Sequence, residues 1–579
     1  MHRFEIWAPL AKRISVHAGG AARAMEGPDE RGWWRVDAPD AGAGTDYGFL
    51  VDDDEKPYPD PGSKWQPNGV HGLSRIYDHQ EFAWSDAKFQ APPLASAVVY
   101  ELHIGTFTPE GTFDSAARKL DYLLELGVTH VELMPVASFE GRHGWGYDGV
   151  ALSAVHEPYG GPDGLKRFVD AAHWKGLAVV LDVVYNHFGP SGNYAGKFGP
   201  YVTESHHTPW GGAVNLEGAW SAEVRRYFCD NALMWLRDFH IDGLRLDAVH
   251  ALVDRSAIHF LEELAQEVES LSAATGRRLV LIAESDLNDP RVVMPREAGG
   301  FGIDAQWSDD FHHALFAVLS PQSRDGYYCD FGSMEQLAKA LKETFVYDGN
   351  YSNYRKRVHG RPIRDLSQHR FFGYIQTHDQ VGNRAKGDRI GHICGMDRAK
   401  IAAAIYVLSP FVPMLFQGEE WAASTPFQYF ADHGDSALAR AVSEGRKKEF
   451  AAFGWDEASI PDPESASTFE ASRLKWEELS EPDHSQMLEW YRALIRLRRA
   501  EPALNNGRAG NTKATFDECA KWFSMERGSI SVICNLGETA QKFAIPRQGR
   551  VLLTSRGILD ASGGAVTLEP DTVAITAAE

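Results

Sequence analysis

Between residues 4 and 50, apolar and polar side chains alternate in short runs such as RISVHA (13–18) and WWRVDAP (33–39), broken by Gly, Ala and Pro. Period-two alternation marks strands with one buried face, and several of them in a row predict a small β-sandwich. A Pro- and Gly-rich stretch, KPYPDPGSKWQPNGVHG (56–72), leads out of it, and QAPPLAS (90–96) reads as a boundary. The rhythm then changes. Nearly continuous apolar runs appear in AVVYELHIGTF (97–107), VTHVELMPV (128–136) and LAVVLDVVYNH (177–187). Between them lie helical patterns. In DGLKRFVDAAHWKG (163–176), Leu165, Phe168, Val169 and Ala172 share one face, and Gly176 stands where a C-terminal cap belongs. Further buried-strand runs fall around 241–249, 278–285, 301–307, 371–377 and 411–417. Eight such runs with helices between them predict a parallel α/β core, best fitted by a (β/α)8 TIM barrel.

The segment HSQMLEWYRALIRLRRA (484–500) is amphipathic, with Met487, Trp490, Tyr491, Leu494 and Leu497 on one face, and is expected to close the barrel. Short β-runs return after about residue 505, in SISVICNL, RVLLTS and TVAITA. The expected organisation is an N-terminal β-sandwich at 1–90, a barrel with insertions at 91–504 and a C-terminal β-sandwich at 505–579.

Composition narrows the function. The 579 residues exceed a single hydrophobic core. Lys plus Arg number 58 against 80 Asp plus Glu, a net charge of −22 that repels phosphate backbones, so no nucleic-acid partner is expected. The most apolar stretch, IAAAIYVLSPFVPMLFQG (401–418), is broken by Ser409, Pro410 and Pro413, so it reads as a buried helix then a strand, not a membrane span. Five scattered cysteines (Cys229, Cys329, Cys394, Cys519 and Cys534) show no metal-ligand spacing and suit a reducing compartment. The start, MHRFEIWAPL, has no apolar signal-peptide core. A cytoplasmic monomer without membrane contact is the expectation. GWGYDG (144–149) matches a GxGxxG pattern, but no helix opens after it, so a nucleotide loop is not expected. His206–His207 and His312–His313 fit no zinc spacing, and no EF-hand-like loop is present. Neither cofactor nor metal is expected.

The chemistry lies at the strand ends. GLRLDAVHAL (243–252) places Arg245 and Asp247 in an apolar run. Along a strand, Leu244, Leu246 and Ala248 share one face and Arg245 and Asp247 the other. In a barrel that second face is the lumen, which opens at the C-terminal end into the active site. The guanidinium would favour the ionised carboxylate, as a nucleophile requires. A buried structural ion pair explains this stretch alone equally well. Three further strand ends add weight. LDVVYNHF (181–188) ends with Asp182, Asn186 and His187, LVLIAESD (279–286) carries Glu284, and YIQTHDQVGNR (374–384) carries His378 and Asp379. A carboxylate at the end of an apolar strand is costly to bury without a partner or a task. Glu284, with apolar residues leading in and no basic neighbour in sequence, suits a raised pKa and a general-acid role. One ionised and one protonated carboxyl in a shared pocket are the equipment for glycosidic cleavage.

These four segments, in this order, resemble the four signature regions of the α-amylase superfamily, glycoside hydrolase family 13, and the likeness runs from about residue 95 to the C-terminus. The resemblance implies a catalytic barrel, a carbohydrate-binding-like N-terminal sandwich and a retaining hydrolase. Asp247 would be the nucleophile, Glu284 the proton donor and Asp379 the transition-state stabiliser. His187, Arg245 and His378 would line the same subsite, Tyr147 would stack on the sugar there, and Asp182 would brace its strand end. Thr377 departs from the family, where many members carry Asn before His-Asp. More particular stretches at 141–166, 206–218, 283–293, 306–315 and 415–433 are similar to the branch that cuts the α-1,4 bond next to a terminal α,α-trehalose in trehalose biosynthesis. The implied substrates are malto-oligosyltrehalose and other α-1,4-glucans, with Trp210 and Trp307 as sugar platforms. The closest alternative within the superfamily is a 1,4-α-glucan branching enzyme, which hands the glycosyl unit to a sugar instead of water. Debranching enzymes are a more distant option. A non-catalytic binding protein on this fold would be expected to lack triad carboxylates, and all three are present.

Overall fold

A computed structural model describes residues 2–320, 326–451, 459–545, 549–557 and 564–578. Eight parallel strands close into a barrel in chain order: β1 (Val99–Leu102), β2 (His130–Leu133), β3 (Ala178–Val183), β4 (Gly243–Leu246), β5 (Val280–Ala283), β6 (Ala305–Trp307), β7 (Phe371–Gly373) and β8 (Val412–Phe416). Each lies inside one of the apolar runs read from the sequence. The runs are apolar on both faces because helices cover one and neighbouring strands the other. Val99, Val180, Ile282, Trp307, Phe372 and Met414, from six different strands, meet in one apolar cluster that fills the lumen. Leu244 and Leu246 join the larger core outside it.

Lumen-facing rows decide which side chains reach the site. Two residues beyond Val99 is Glu101, two beyond Val180 is Asp182, and two beyond Ile282 is Glu284. Arg245 lies in register between Asp182 and Ile282, on the same side. The apolar floor of the barrel thus gives way upward to a layer of ionisable groups.

The helix Gly161–Trp174 buries Leu165, Phe168, Val169 and Ala172, and Gly176 follows it with φ 81°, the left-handed turn that favours glycine. The helix Pro482–Ala500 buries Met487, Trp490, Tyr491 and Leu494, and lies against the helix Ile390–Val407. Its Arg498 is 2% exposed and donates to the carbonyls of Val407, Ser409 and Phe411, tying helix to barrel. In the N-terminal region, a two-stranded sheet (His2–Trp7 with Trp33–Ala38) accompanies a four-stranded one built on Ile14–Ala18 and Asp46–Val51. The C-terminal region holds a five-stranded antiparallel sheet and a second strand pair. Among the described residues no helix is long and apolar enough to cross a membrane.

The segment leading into the barrel is pinned to its floor. Trp84 stacks on His240 at 3.8 Å and Phe89 on His173 at 4.0 Å. Asp86 accepts from Nδ1 of both histidines at 2.7 Å, and His173 Nε2 donates to Asp242 at 2.8 Å. Burial opposes the His173 imidazolium, but Asp242 and Asp86 outweigh it, and its pKa lies above the ordinary 6.5. A raised folded-state value gives a contribution that is full below the unfolded value and fades as pH rises through the folded one. The thermal midpoint is therefore expected to fall from pH 6 to pH 9, and His173→Gln to flatten that slope. Melting curves across this range check it, and an unchanged slope in the variant would disprove the assignment.

Candidate active site

Arg245 organises the mouth of the barrel. It is 0% exposed. Its Nη1 donates to Asp182 Oδ2 and to Asp247 Oδ1, each at 2.8 Å, and its Nη2 lies 3.4 Å from Glu284 Oε2. A buried guanidinium is thus compensated by Asp182 and Asp247, with the Glu284 carboxyl beside them, from three successive strand ends. Asp247 and Glu284 sit on the two terminal nitrogens of one side chain.

The backbone helps. β4 stops at Leu246, and Ala248 turns into the left-handed region at φ 38°. Ala248 therefore does not continue the face of Leu244 and Leu246, as strand alternation predicts. The turn instead aims the Ala248 N–H at Glu284 Oε2, 2.6 Å away. A non-glycine residue held there is strained, a feature that clusters at functional sites. The Glu284 side chain is 17% exposed. Burial pushes its carboxyl well above the usual carboxylate range, against the pull of Arg245, with Asp247, Asp379 and Asp309 adding like charge. Its basic neighbour, invisible in sequence, comes from β4.

Tyr147 bridges the two sides. Its hydroxyl donates to Asp182 Oδ2 at 2.6 Å and lies 2.7 Å from His378 Nε2, and its ring stacks on that imidazole at 5.1 Å. Burial raises Asp182 to about 6. His187 Nε2 lies 3.1 Å from the Tyr147 carbonyl, and its ring stacks on Trp210 at 5.1 Å with 5° between planes. Trp210 is 46% exposed, on the turn between Val202–Thr208 and Gly211–Val214. Asp379, 33% exposed, lies with Oδ2 3.5 Å from His378 Nε2. Thr377 caps the short helix there by accepting the N–H groups of Asp379 (3.2 Å) and Gln380 (3.4 Å). A hydroxyl thus serves where the family commonly has an amide oxygen.

The expectation for Trp307 does not hold. It is 1% exposed, with the Arg245 guanidinium 4.3 Å from its ring centre. A covered ring offers no free face to a sugar, and its place in the β6 lumen row explains why. His312 and His313 lie on the helix Asp309–Leu319, and both are buried. Among the described residues no three His, Cys, Asp or Glu side chains are grouped so as to hold a metal ion. Further carboxylates reach the site from elements that no motif marks. Glu101 contacts His378 from β1, and Asp309, which burial pushes up to about 7, accepts from the Tyr374 hydroxyl at 2.6 Å. Glu101 in VVYELH carries the same signal as Glu284, a carboxylate ending an apolar strand.

Known proteins share this architecture. The family description "Alpha amylase, catalytic domain" matches residues 75–205, and a domain of unknown function (DUF3459) matches 507–575. A malto-oligosyltrehalose trehalohydrolase from Rhizobium sp. (strain M-11) is 48% identical over 99% of this chain and 97% of its own length. One from Saccharolobus solfataricus is 44% identical over 91% of this chain and 90% of its own. The chain belongs to the malto-oligosyltrehalose trehalohydrolase family. A branching enzyme from Mycolicibacterium paratuberculosis is 29% identical over 72% of this chain and 59% of its own length, a more partial likeness than the trehalohydrolases show. A crystal structure from Salmonella typhimurium, provisionally named an alpha amylase, superposes with a TM-score of 0.91 at 37% identity, covering 100% of this chain and 97% of that one. A Paenibacillus barengoltzii pullulanase, with a TM-score of 0.73 at 20% identity over 99% of this chain and 94% of that one, shares the fold.

Proposed function

We propose that this chain hydrolyses the α-1,4-glucosidic bond next to the terminal α,α-trehalose of malto-oligosyltrehalose, releasing trehalose and a maltooligosaccharide. The observation that carries the reading is near-full-length identity of 48% to a relative of that name, joined to the pair of carboxylates on Arg245. Asp247 attacks the anomeric carbon on the maltosyl side while Glu284 gives its proton to the departing trehalose oxygen. The glycosidic bond breaks as the bond to Asp247 forms. Glu284, now ionised, takes a proton from water, which cleaves the glycosyl ester with a second inversion and frees Asp247. Asp379 supports the distorted sugar through its hydroxyls, and His187, Arg245, His378 and Tyr147 line the subsite. Retention calls for carboxyl groups about 5–5.5 Å apart.

Glu284 must enter the cycle protonated. Burial raises it, so it keeps its proton through the neutral range, as the acid of the first step requires. Trp210, half exposed on His187, is read as a sugar platform that binds ground and transition state alike. Trp210→Ala is expected to raise KM several-fold with kcat nearly unchanged, and steady-state kinetics check the split.

The test of the reading is product analysis on maltotriosyltrehalose and, separately, maltopentaose. Trehalose plus maltotriose from the first, with slow attack on the second, is the expected result. No trehalose, with new α-1,6 branches on amylose, would move the chain to the branching reaction.

A further inference from the structure

Besides Asp182 and the proposed catalytic triad, the lumen holds Glu101 and Glu132, and of these two Glu101 alone has hydrogen-bond partners among the described residues. Glu101 and Glu132 are register partners on β1 and β2, 1% and 0% exposed. Glu101 accepts the His378 main-chain N–H at 3.0 Å through Oε2 and contacts His378 Nδ1 through Oε1. Among the described residues neither oxygen of Glu132 has a hydrogen-bond partner. Two adjacent buried anions repel, and an unpartnered one pays the full desolvation penalty. Burial, then Glu101, pushes Glu132 well above the usual carboxylate range. Glu101, with a main-chain N–H on one oxygen and an imidazole nitrogen on the other, is the member of the pair placed to be the anion.

Proton bookkeeping then fixes His378. Asp182 Oδ2 accepts from Arg245 Nη1 at 2.8 Å, which favours its ionised form, and it also accepts the single proton of the Tyr147 hydroxyl. Tyr147 has none left for His378, so at 2.7 Å Nε2 is the donor. Nδ1 faces a carboxylate and donates too. With both nitrogens protonated, His378 is an imidazolium. The groups facing it from the surrounding elements are Glu101 and Glu132 from β1 and β2, His103, Tyr147, Asp182, Arg245 and its neighbour Asp379. Burial and Arg245 work against the cation. Asp379 and Glu101 outweigh them, and His378 is raised to about 9.

We propose that Glu101 is a positioning residue for the glycosidic reaction, holding His378 as a cation that donates towards Tyr147 and Asp379, while Glu132 stays neutral beside it. This rests on the site assignment above. The hydrogen bonds run without a break from Glu101 through His378, Tyr147, Asp182 and Arg245 to Asp247 Oδ1. The first strand of the barrel is thereby linked to the proposed nucleophile on the fourth.

Glu101→Gln is the decisive variant. Its amide oxygen still accepts the main-chain N–H, and its NH2 donates to Nδ1 of a neutral imidazole, so contacts survive while the charge goes. Rates are read from pH 5 to 10 on whichever α-1,4-glucan the wild type cleaves. A wild type inactive on malto-oligosyltrehalose sinks the functional reading and leaves this one testable on the other glucan. The expected result is a loss of at least about tenfold in kcat at pH 8, little change in KM and an alkaline limb moved down by more than about one pH unit. Glu132→Gln is expected to keep the wild-type limb, and Glu101→Asp, which retains the charge, to keep it even if kcat falls. A Glu101→Gln profile that overlays the wild type, or falls equally at every pH, overturns the proposal. So does a limb that moves in Glu101→Asp or Glu132→Gln.

Discussion

Asp247→Ala is expected to lower kcat on the order of 10⁴–10⁶-fold, because the step that forms the glycosyl-enzyme then lacks its proposed nucleophile. The loss should not be a folding defect. Arg245 keeps Asp182 at 2.8 Å when Asp247 is removed, so the buried cation remains compensated. A melting temperature within a few degrees of wild type, together with lost turnover, is the predicted pair of readings. Near-normal kcat would mean that Asp247 is not the nucleophile.

The second large effect falls on Arg245. Arg245→Met keeps much of the side-chain volume and removes the charge that Asp182 and Asp247 share. Breaking a buried ion cluster on one side leaves uncompensated carboxylates, at about 3–5 kcal/mol. Asp182, already raised to about 6 by burial, then loses its principal opposing charge. The variant is expected to melt well below wild type near pH 8 and to recover part of the gap towards pH 5, where the stranded carboxylates take up protons. Activity should be lost at both pH values. A midpoint unchanged at pH 8 would show that Arg245 balances no charge that the fold needs. In the proposed mechanism Asp247 acts on the substrate alone, whereas Arg245 bears on the fold as well.

Much of this was legible in the chain. Each barrel strand falls within a run recognised by its apolar continuity, since a strand buried on both faces can carry little else. The active-site carboxylates showed themselves as polar breaks at the ends of those runs. What stayed hidden was what strands from distant sequence bring together. Nothing near Glu284 in sequence announces Arg245 behind it or the Ala248 N–H in front of it. Trp307 looked like a platform because its row ends near the site, but sequence cannot tell the last covered lumen residue from the first open one. Glu101 and Glu132 carried the same signal as Glu284. They were passed over because no motif singled them out, and only register places one against His378 and leaves the other without a partner.

A double displacement at one anomeric carbon is reported directly by the configuration of the first product. Maltotriosyltrehalose would be treated with enough enzyme to outpace mutarotation and the anomeric protons followed by NMR. Retention through Asp247 predicts that maltotriose appears first as the α-anomer, beside an equal amount of trehalose. Maltotriose appearing first as the β-anomer would mean that water attacks directly, and the roles given to Asp247 and Glu284 would have to be abandoned.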